Sequence, residues 1–250
     1  KEDVGRENFI SKVWEWKEKS GENISGQMKK LGMSCDWSRE RFTMDEGLSA
    51  AVRQVFVTLY DSGFIYKGSR MVNWDTKLMS AVSDLEVNLE EQTGKLWSVK
   101  YKCGDEFITI ATTRPETILA DTAVAVNPDD ERYKSFIGKT AIIPIVNREV
   151  PIIADEYVDK EFGSGCVKIT PAHDFNDYEI GLKHDLEVIS CMKLDGTMSD
   201  DDFMPENYKN LDRFEARDQI VNELSELGFL VSADDHVIQL PKGDRSKSIL

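Results

Sequence analysis

The sequence predicts an α+β fold: a β-barrel domain with flanking helices, preceded by a helical N-terminal segment. Three observations predict it. Apolar residues recur at helical spacing through roughly the first 90 residues. From about residue 95 the pattern changes to many short β-rich runs divided by turn residues. A last amphipathic helix then returns near residue 212, ahead of an extended polar tail. A β-rich block between two helical blocks is the pattern of a β domain inserted into something else. The expected boundaries are 1–94 for a helical connecting segment, 95–237 for the β-barrel and 238–250 for a return segment.

Taken in order, Phe9, Ile10, Val13, Trp14 and Trp16 give the first apolar side, with Gly21 as a stop signal. Ile24, Met28 and Leu31 repeat the pattern before Gly32. A charged loop, Cys35 to Phe42, leads to Thr43-Met44-Asp45-Glu46, which reads as a capping box with Thr43 as cap. Leu48, Val52, Val55, Phe56, Leu59 and Tyr60 form one face of a helix ending at Gly63. Arg70 to Asp75 is a short strand or extended turn. The β block opens with Leu96–Tyr101 and Phe107–Ala111, paired around Cys103-Gly104-Asp105. Further strands are expected at Ala123–Val126, Ala141–Ile145, Val150–Ile153, Val167–Thr170 and Val188–Cys191, with turn signals such as Asn127-Pro128-Asp129-Asp130 and Leu194-Asp195-Gly196 between them. Asp212 caps a helix whose buried face is Ile220, Val221, Leu224 and Leu227 and whose stop is Gly228. The tail Val237–Ser246 reads as a strand leaving the domain.

The 250 residues are 40% apolar and 9% aromatic, which fits a globular chain with a sizeable core. Apolar runs such as Ala141-Ile142-Ile143 are far too short to cross a bilayer, and no secretory signal pattern is visible. The four cysteines, 35, 103, 166 and 191, have no metal-ligand spacing; they read as free packing thiols of a reducing cytoplasm, with no metal site expected. The 46 acidic residues outnumber the 31 basic ones, giving −15. Broad nucleic-acid binding rests on phosphate neutralisation by Lys and Arg, so any such contact has to be local, through a small basic pocket or through parts of a larger protein.

Two stretches concentrate the chemistry. Phe162-Gly163-Ser164-Gly165 is a Gly-rich turn leading into the strand-like Val167-Lys168-Ile169-Thr170. Pro171 ends that strand, and Ala172-His173-Asp174-Phe175-Asn176-Asp177 opens a short helix carrying Tyr178, Ile180 and Leu182. One corner thus collects a Lys, a Thr, a His and two carboxylates. The second stretch, Ala111-Thr112-Thr113-Arg114-Pro115-Glu116-Thr117, follows another strand with three hydroxyls, a guanidinium and a carboxylate around a rigid proline.

These two stretches resemble the editing domain of the class I aminoacyl-tRNA synthetases for valine, isoleucine and leucine, where a Thr-rich strand end and a Gly-Thr-Gly … Pro-Ala-His-Asp segment build a hydrolytic pocket. Lys168 points to the valine branch, as do the flanks Trp14-Glu15-Trp16-Lys17, Asp36 to Asp45, Ser83 to Val87, Ile153 to Asp159 and Pro241 to Ser246, so that the resemblance covers essentially the whole chain. Three departures stand out. The ATP-site signatures His-Ile-Gly-His and Lys-Met-Ser-Lys-Ser are absent, so the resemblance implies an inserted segment that activates no amino acid, with ATP and Mg belonging only to a parent enzyme. Ser164 stands for the usual Thr, and Thr76 where a Pro is common.

The resemblance implies hydrolysis of the ester of threonine mischarged onto the 3′ end of tRNA(Val), with the remainder of a synthetase as the other partner, no cofactor for this segment, no membrane and a monomeric state. It assigns Asp177 to the substrate ammonium. Lys168, Thr170 and Asp174 are the candidates for reading the threonine side chain and holding water. Thr112, Thr113, Arg114 and Thr117 are expected to line the ester and terminal nucleotide, Phe162 to stack on adenine and His173 to orient the loop. A positioned water and hydrogen bonds to the developing oxyanion suffice for a labile ester, with no Ser or Cys nucleophile.

Read as residues alone, other assignments stand beside these. Asp174 fits a helix N-cap and Asp177 the acid of a capping box. The Thr112-Thr113 pair fits strand threonines with satisfied hydroxyls, and Lys168 a strand end at the surface. A hydrolase using Cys166 and His173, and a tRNA-docking module without catalysis, are the alternative functions.

Overall fold

The computed structural model describes residues 4–250; the first three residues of the 1–94 segment lie outside it. The chain forms two compact units that divide between Gly68 and Ser69.

The first unit holds helices α1 (Arg6–Lys30) and α2 (Glu46–Asp61). Gly21 does not stop α1, which runs on to Lys30. A helical glycine costs about 1 kcal/mol relative to alanine, and α1 carries two, Gly21 and Gly26, without ending at either. The cap of α2 is Asp45 rather than Thr43: its Oδ1 accepts from Leu48 N at 2.8 Å while the same carboxylate pairs with Arg41. A charged oxygen is the stronger acceptor at a helix N-terminus.

The second unit is a mixed sheet curled into a half-barrel. A two-stranded ribbon, β1 (Asn73–Asp75) and β2 (Ser80–Val82), precedes it, so the helical pattern expected to about residue 90 ends with α2. The main sheet contains β3 (Val87–Cys103), β4 (Glu106–Thr112), β5 (Ala123–Val126), β6 (Thr140–Ile142), β7 (Glu149–Ala154) and β8 (Cys166–Ile169), in the order β4-β3-β6-β7-β5-β8. The curl brings β8 back against β4. Helices α3 (Phe175–Lys183) and α4 (Arg213–Glu226) follow, and β9 (Leu230–Gly243) closes the chain order.

Two expected strands differ. Val188–Cys191 forms no ladder, because the Cys191 N–H is given to the His173 ring and its carbonyl to Ser199 N. The polar tail does not leave the domain: β9 pairs antiparallel with β3 from Val87↔Gly243 to Val99↔Leu230, with a bulge at Ser98/Val99. Its polarity reflects an arm with one exposed face, the other being only half-buried at Ile238 and Leu240.

Alternation along the strands sorts two cores. Val99, Tyr101, Ile108, Ile110, Val124, Val126 and Ile152 join Ile220 and Leu224 of α4 in the larger one; Ala123, Ala125, Val158, Ile169 and Ile180 form the smaller. The turn before β8 needs its glycines: Gly163 has φ 56° and Gly165 φ 77°, and Gly165 N closes onto the Phe162 carbonyl at 3.0 Å. A Cβ on Gly165 would stand 2.5 Å from Arg132 Nη2 and 3.1 Å from the Lys160 carbonyl. Gly165→Ala is therefore expected to lower unfolding free energy in urea by about 1–3 kcal/mol. Gly104→Ala, at φ 61° with open space around it, is expected to cost only the backbone part, about 1–2 kcal/mol.

Candidate active site

The register of β5 against β8 decides the site. Ala123 pairs with Ile169 and Val124 with Lys168, and Thr122 N donates to the Ile169 carbonyl at 2.9 Å. Asp121, two residues before β5, therefore comes diagonally across from Thr170, one residue after β8. Lys168 and Thr170 are two residues apart and share a face, the one turned toward the larger core. There Lys168, 7% exposed, places its ammonium 3.0 Å from Asp121 Oδ1 and against the Thr170 hydroxyl. Thr170 in turn donates to Asp121 Oδ1 at 2.6 Å, and the Tyr101 hydroxyl donates to Asp121 Oδ2 at 2.6 Å. Arg148 Nη2 donates to the Leu119 and Asp121 carbonyls, fixing the short 3₁₀ turn Pro115–Ala120 that delivers Asp121. Complete burial pushes the Asp121 carboxyl up, against the pull of Lys168 and the two hydroxyls, and pushes the Tyr101 phenol well up, which keeps it a donor.

Asp177 lies beside this cluster. Its Oδ2 accepts from Thr170 N at 2.8 Å. Asp174 caps α3, accepting from Asn176 N at 2.8 Å and Asp177 N at 3.1 Å. The N-cap reading of Asp174 thus holds, whereas Asp177 reaches to β8 instead of back to its own cap. Burial raises the Asp177 carboxyl to about 6, although Lys168 and the Thr170 N–H pull it down.

The threonine-rich stretch is clasped on itself. Thr112 Oγ1 accepts from Arg114 N at 3.0 Å, and Thr117 Oγ1 donates to the Arg114 carbonyl at 2.9 Å. Arg114 Nη1 reaches the His173 carbonyl at 2.7 Å, tying the two chemical stretches together. The His173 ring accepts from Cys191 N at 2.9 Å on Nε2, and burial, then Arg114 and Lys168, push its pKa down to about 3. A ring so placed is neutral and engaged, and it positions the loop. Its sulfur neighbour is Cys191 at 3.3 Å, not Cys166. Burial pushes the Cys166 thiol to about 12, so Cys166 and His173 do not form a nucleophile–base pair. Lys168 is likewise inside rather than at the surface end of a strand.

A cavity of about 500 Å³ is lined by Thr112, Thr113, Arg114, Thr117, Phe162, Lys168, Thr170, His173, Asp174 and Asp177. All ten residues expected from the sequence thus share one wall system. Phe162, 54% exposed, sits at the rim, edge-on to His236 at 5.9 Å. Leu96, Ala111, Tyr157, Val158, Asp159 and Val167 complete the lining without having been expected as site residues. Asp121 and Tyr101 were also missed. The available signal for Asp121 was a lone carboxylate two residues ahead of an all-apolar run, Ala123–Val126, that needs a cationic partner inside. Among the described residues no cluster suited to a metal ion occurs, and no helix is long and apolar enough to cross a membrane.

Residues 1–232 match the family model described as tRNA synthetases class I (I, L, M and V). The chain is 54% identical over 252 residues to the valine–tRNA ligase of Legionella pneumophila (strain Paris), covering 100% of this chain and 27% of that protein. It is 54% identical over 250 residues to that of Francisella tularensis subsp. tularensis, covering 99% and 27%. The chain therefore spans about a quarter of the length of these curated relatives. A LeuRS from Agrobacterium radiobacter K84, solved in a ternary complex with tRNA and LeuAMS, superposes with a TM-score of 0.44 at 17% identity over 94% of this chain and 38% of that one, too slight a likeness to carry weight.

The thiol environments make a simple prediction. Cys35 is exposed, while Cys103, Cys166 and Cys191 are buried with raised pKa values. Ellman's reagent at pH 8 is expected to titrate one thiol rapidly in the folded protein and the other three only after addition of denaturant.

Proposed function

From the premise that the chain belongs to the class I tRNA synthetases, we propose that its cavity hydrolyses the ester joining threonine to the 3′-terminal adenosine of tRNA(Val). The observation that supports this most is the polar cluster around Lys168. Lys168 has three N–H groups and spends two, on Asp121 and Thr170. The Thr170 hydroxyl accepts one hydrogen bond, donates another, and keeps one lone pair. The cluster thus has one donor and one acceptor left over, the complement of a single hydroxyl. Threonine supplies it. Valine, of nearly the same shape, leaves a buried N–H unpaired.

Rejection of threonine by valine enzymes is the standard illustration of why a second, hydrolytic sieve is needed, because a hydrophobic synthetic pocket gains too little from one hydroxyl. In the proposed complex Asp177, with one oxygen committed to Thr170 N, offers the other to the α-ammonium. Arg114 and the threonine hydroxyls beside it face the ester, and Phe162 at the rim stacks on the adenine. Asp174, bound to its own helix N-terminus, positions Asp177. The reaction adds water to the ester carbonyl and expels the ribose oxygen, which takes up the proton. No residue of the chain is acylated, and the domain acts within a larger synthetase that grips the tRNA body.

Two variants test this. Asp177→Asn is expected to slow hydrolysis of Thr-tRNA(Val) at least about 100-fold, because a fixed charge on the ammonium is lost. Cys166→Ser is expected to leave it within about twofold. Unchanged hydrolysis in Asp177→Asn would sink the reading. The wild-type rate is expected to rise with pH up to about 6, as Asp177 ionises, and then to level. The stability of the same group runs the other way. Its native pKa is raised above the unfolded value of 3.8, so the native state holds its proton more tightly and loses stability as pH climbs between about 4 and 6. Asp177→Asn should therefore be the more stable protein above pH 6, by up to about 3 kcal/mol, with the difference vanishing below about pH 4 in urea melts.

A further inference from the structure

A second cavity, of about 460 Å³, adjoins the first and shares Thr113 and Arg114 as a common wall. Three guanidinium groups line it: Arg114, and Arg213 and Arg217 from the first two turns of α4. Residues i and i+4 fall on one helix face, so Arg213 and Arg217 project together. One carboxylate side chain within the lining answers them, while Asp212 and Asp218 act on Arg213 and Arg217 from outside it. Glu116, 1% exposed, takes Arg217 through two bonds of 2.7 and 2.8 Å and meets Arg114 Nε at 3.5 Å. Asp212 is committed to capping α4 at Phe214 N and Glu215 N. Lys95, also in the lining, is paired with Asp235 at 2.7 Å. Arg213 Nη2 also donates to the Ile249 carbonyl, a neutral partner, so that among the side chains of the lining three guanidiniums and Lys95 face one carboxylate, in a chain of net −15.

An aromatic ring is set among these charges. The Arg213 and Arg217 guanidinium carbons lie 4.9 and 5.2 Å from the Phe214 ring centroid, and the ring remains 38% exposed within the cavity lining. Guanidinium forks match phosphate oxygens, and an exposed ring offers a face to a base irrespective of its identity. The charge balance of the whole chain excludes an extended basic track for a nucleic-acid strand, so a small cationic cavity is the form that such a contact has to take.

We propose that this second cavity seats the phosphodiester and the nucleotide that precede the esterified adenosine, the phosphate on Arg213, Arg217 and Arg114 and the base on Phe214. This rests on the hydrolytic reading for the identity of the strand. The shared Arg114 wall would then divide the strand, with the ester on one side and the preceding phosphate on the other.

The test is calorimetric titration with the dinucleotide CpA, with CpA carrying a neutral methylphosphonate linkage, and with adenosine alone. The charged dinucleotide is expected to bind about tenfold more tightly than the neutral one, with a salt dependence steeper by about 0.7 in log–log slope. Arg213→Gln is expected to close that gap to within about twofold. Phe214→Leu should weaken both dinucleotides relative to adenosine and leave the gap intact. Arg217 is left in place because it neutralises the buried Glu116. Equal affinity for the two linkages in the wild type, binding of neither dinucleotide, or a gap that survives Arg213→Gln overturns the proposal. If Arg213→Gln does not fold, the wild-type linkage comparison decides alone. A linkage preference without hydrolysis of Thr-tRNA(Val) removes the hydrolytic reading and keeps the phosphate site; hydrolysis without a linkage preference does the reverse.

Discussion

The β unit is organised around an ammonium group that has no business in an apolar interior. Lys168 sits directly across from Val124, on the face of β8 that meets the larger core. An unpaired ammonium there would cost several kcal/mol, and the chain avoids this only by delivering Asp121 to the same spot. That delivery constrains a great deal. It requires β5 and β8 to keep their register, since a slip of one residue would turn Val167 or Ile169 inward and Lys168 out. It requires the tight turn Pro115–Ala120, every residue of which is buried, and the Arg148 grip on its carbonyls. It places Thr170 where its hydroxyl bridges the pair and where its N–H meets Asp177. The cavity floor is thus a consequence of solving one desolvation problem.

This explains which parts of the molecule were legible in the sequence. Strands whose burial alternates or is complete, such as Phe107–Ala111 and Ala123–Val126, declare themselves because their side chains answer to one local environment. So does the Asp212 cap, which needs only its own helix. Gly21, Thr43 and Val188–Cys191 misled for the converse reason. Each carries a correct local preference that a neighbour outbids: the rest of α1 for Gly21, the Asp45 carboxylate for Thr43, and the His173 ring for the backbone of Cys191. The tail was misread because a two-stranded arm with one exposed face has the composition of a linker, and only its thirteen-residue register with β3 reveals the pairing.

The site shows the same division. The ten residues that share the cavity could be collected because they fall in two short stretches with unusual density of polar chemistry. Asp121 and Tyr101 could not. Neither is near the other chemical residues in sequence, and a tyrosine in a strand or an acid before one is unremarkable until the fold brings them within 2.6 Å. Residues that hold functional groups in place tend to be scattered in this way, because any element passing close enough will serve. The Glu116–Arg217 pair, 101 residues apart, is another instance.

On the proposed reading, stability and selectivity draw on the same few groups, and this limits how either can change. Replacing Lys168, Asp121 and Thr170 by well-packed apolar residues would in general be neutral or stabilising, because buried ion pairs rarely repay their desolvation. Such a core would also lose the leftover N–H and lone pair that a threonine hydroxyl satisfies, and the cavity would then accept valine as readily. An intermediate solution is worse than either, since removing one partner strands a buried charge. Discrimination of one hydroxyl from one methyl thus demands that the protein keep a polar cluster complete but for a single donor and a single acceptor. The arrangement around Lys168 meets that condition while still satisfying the fold.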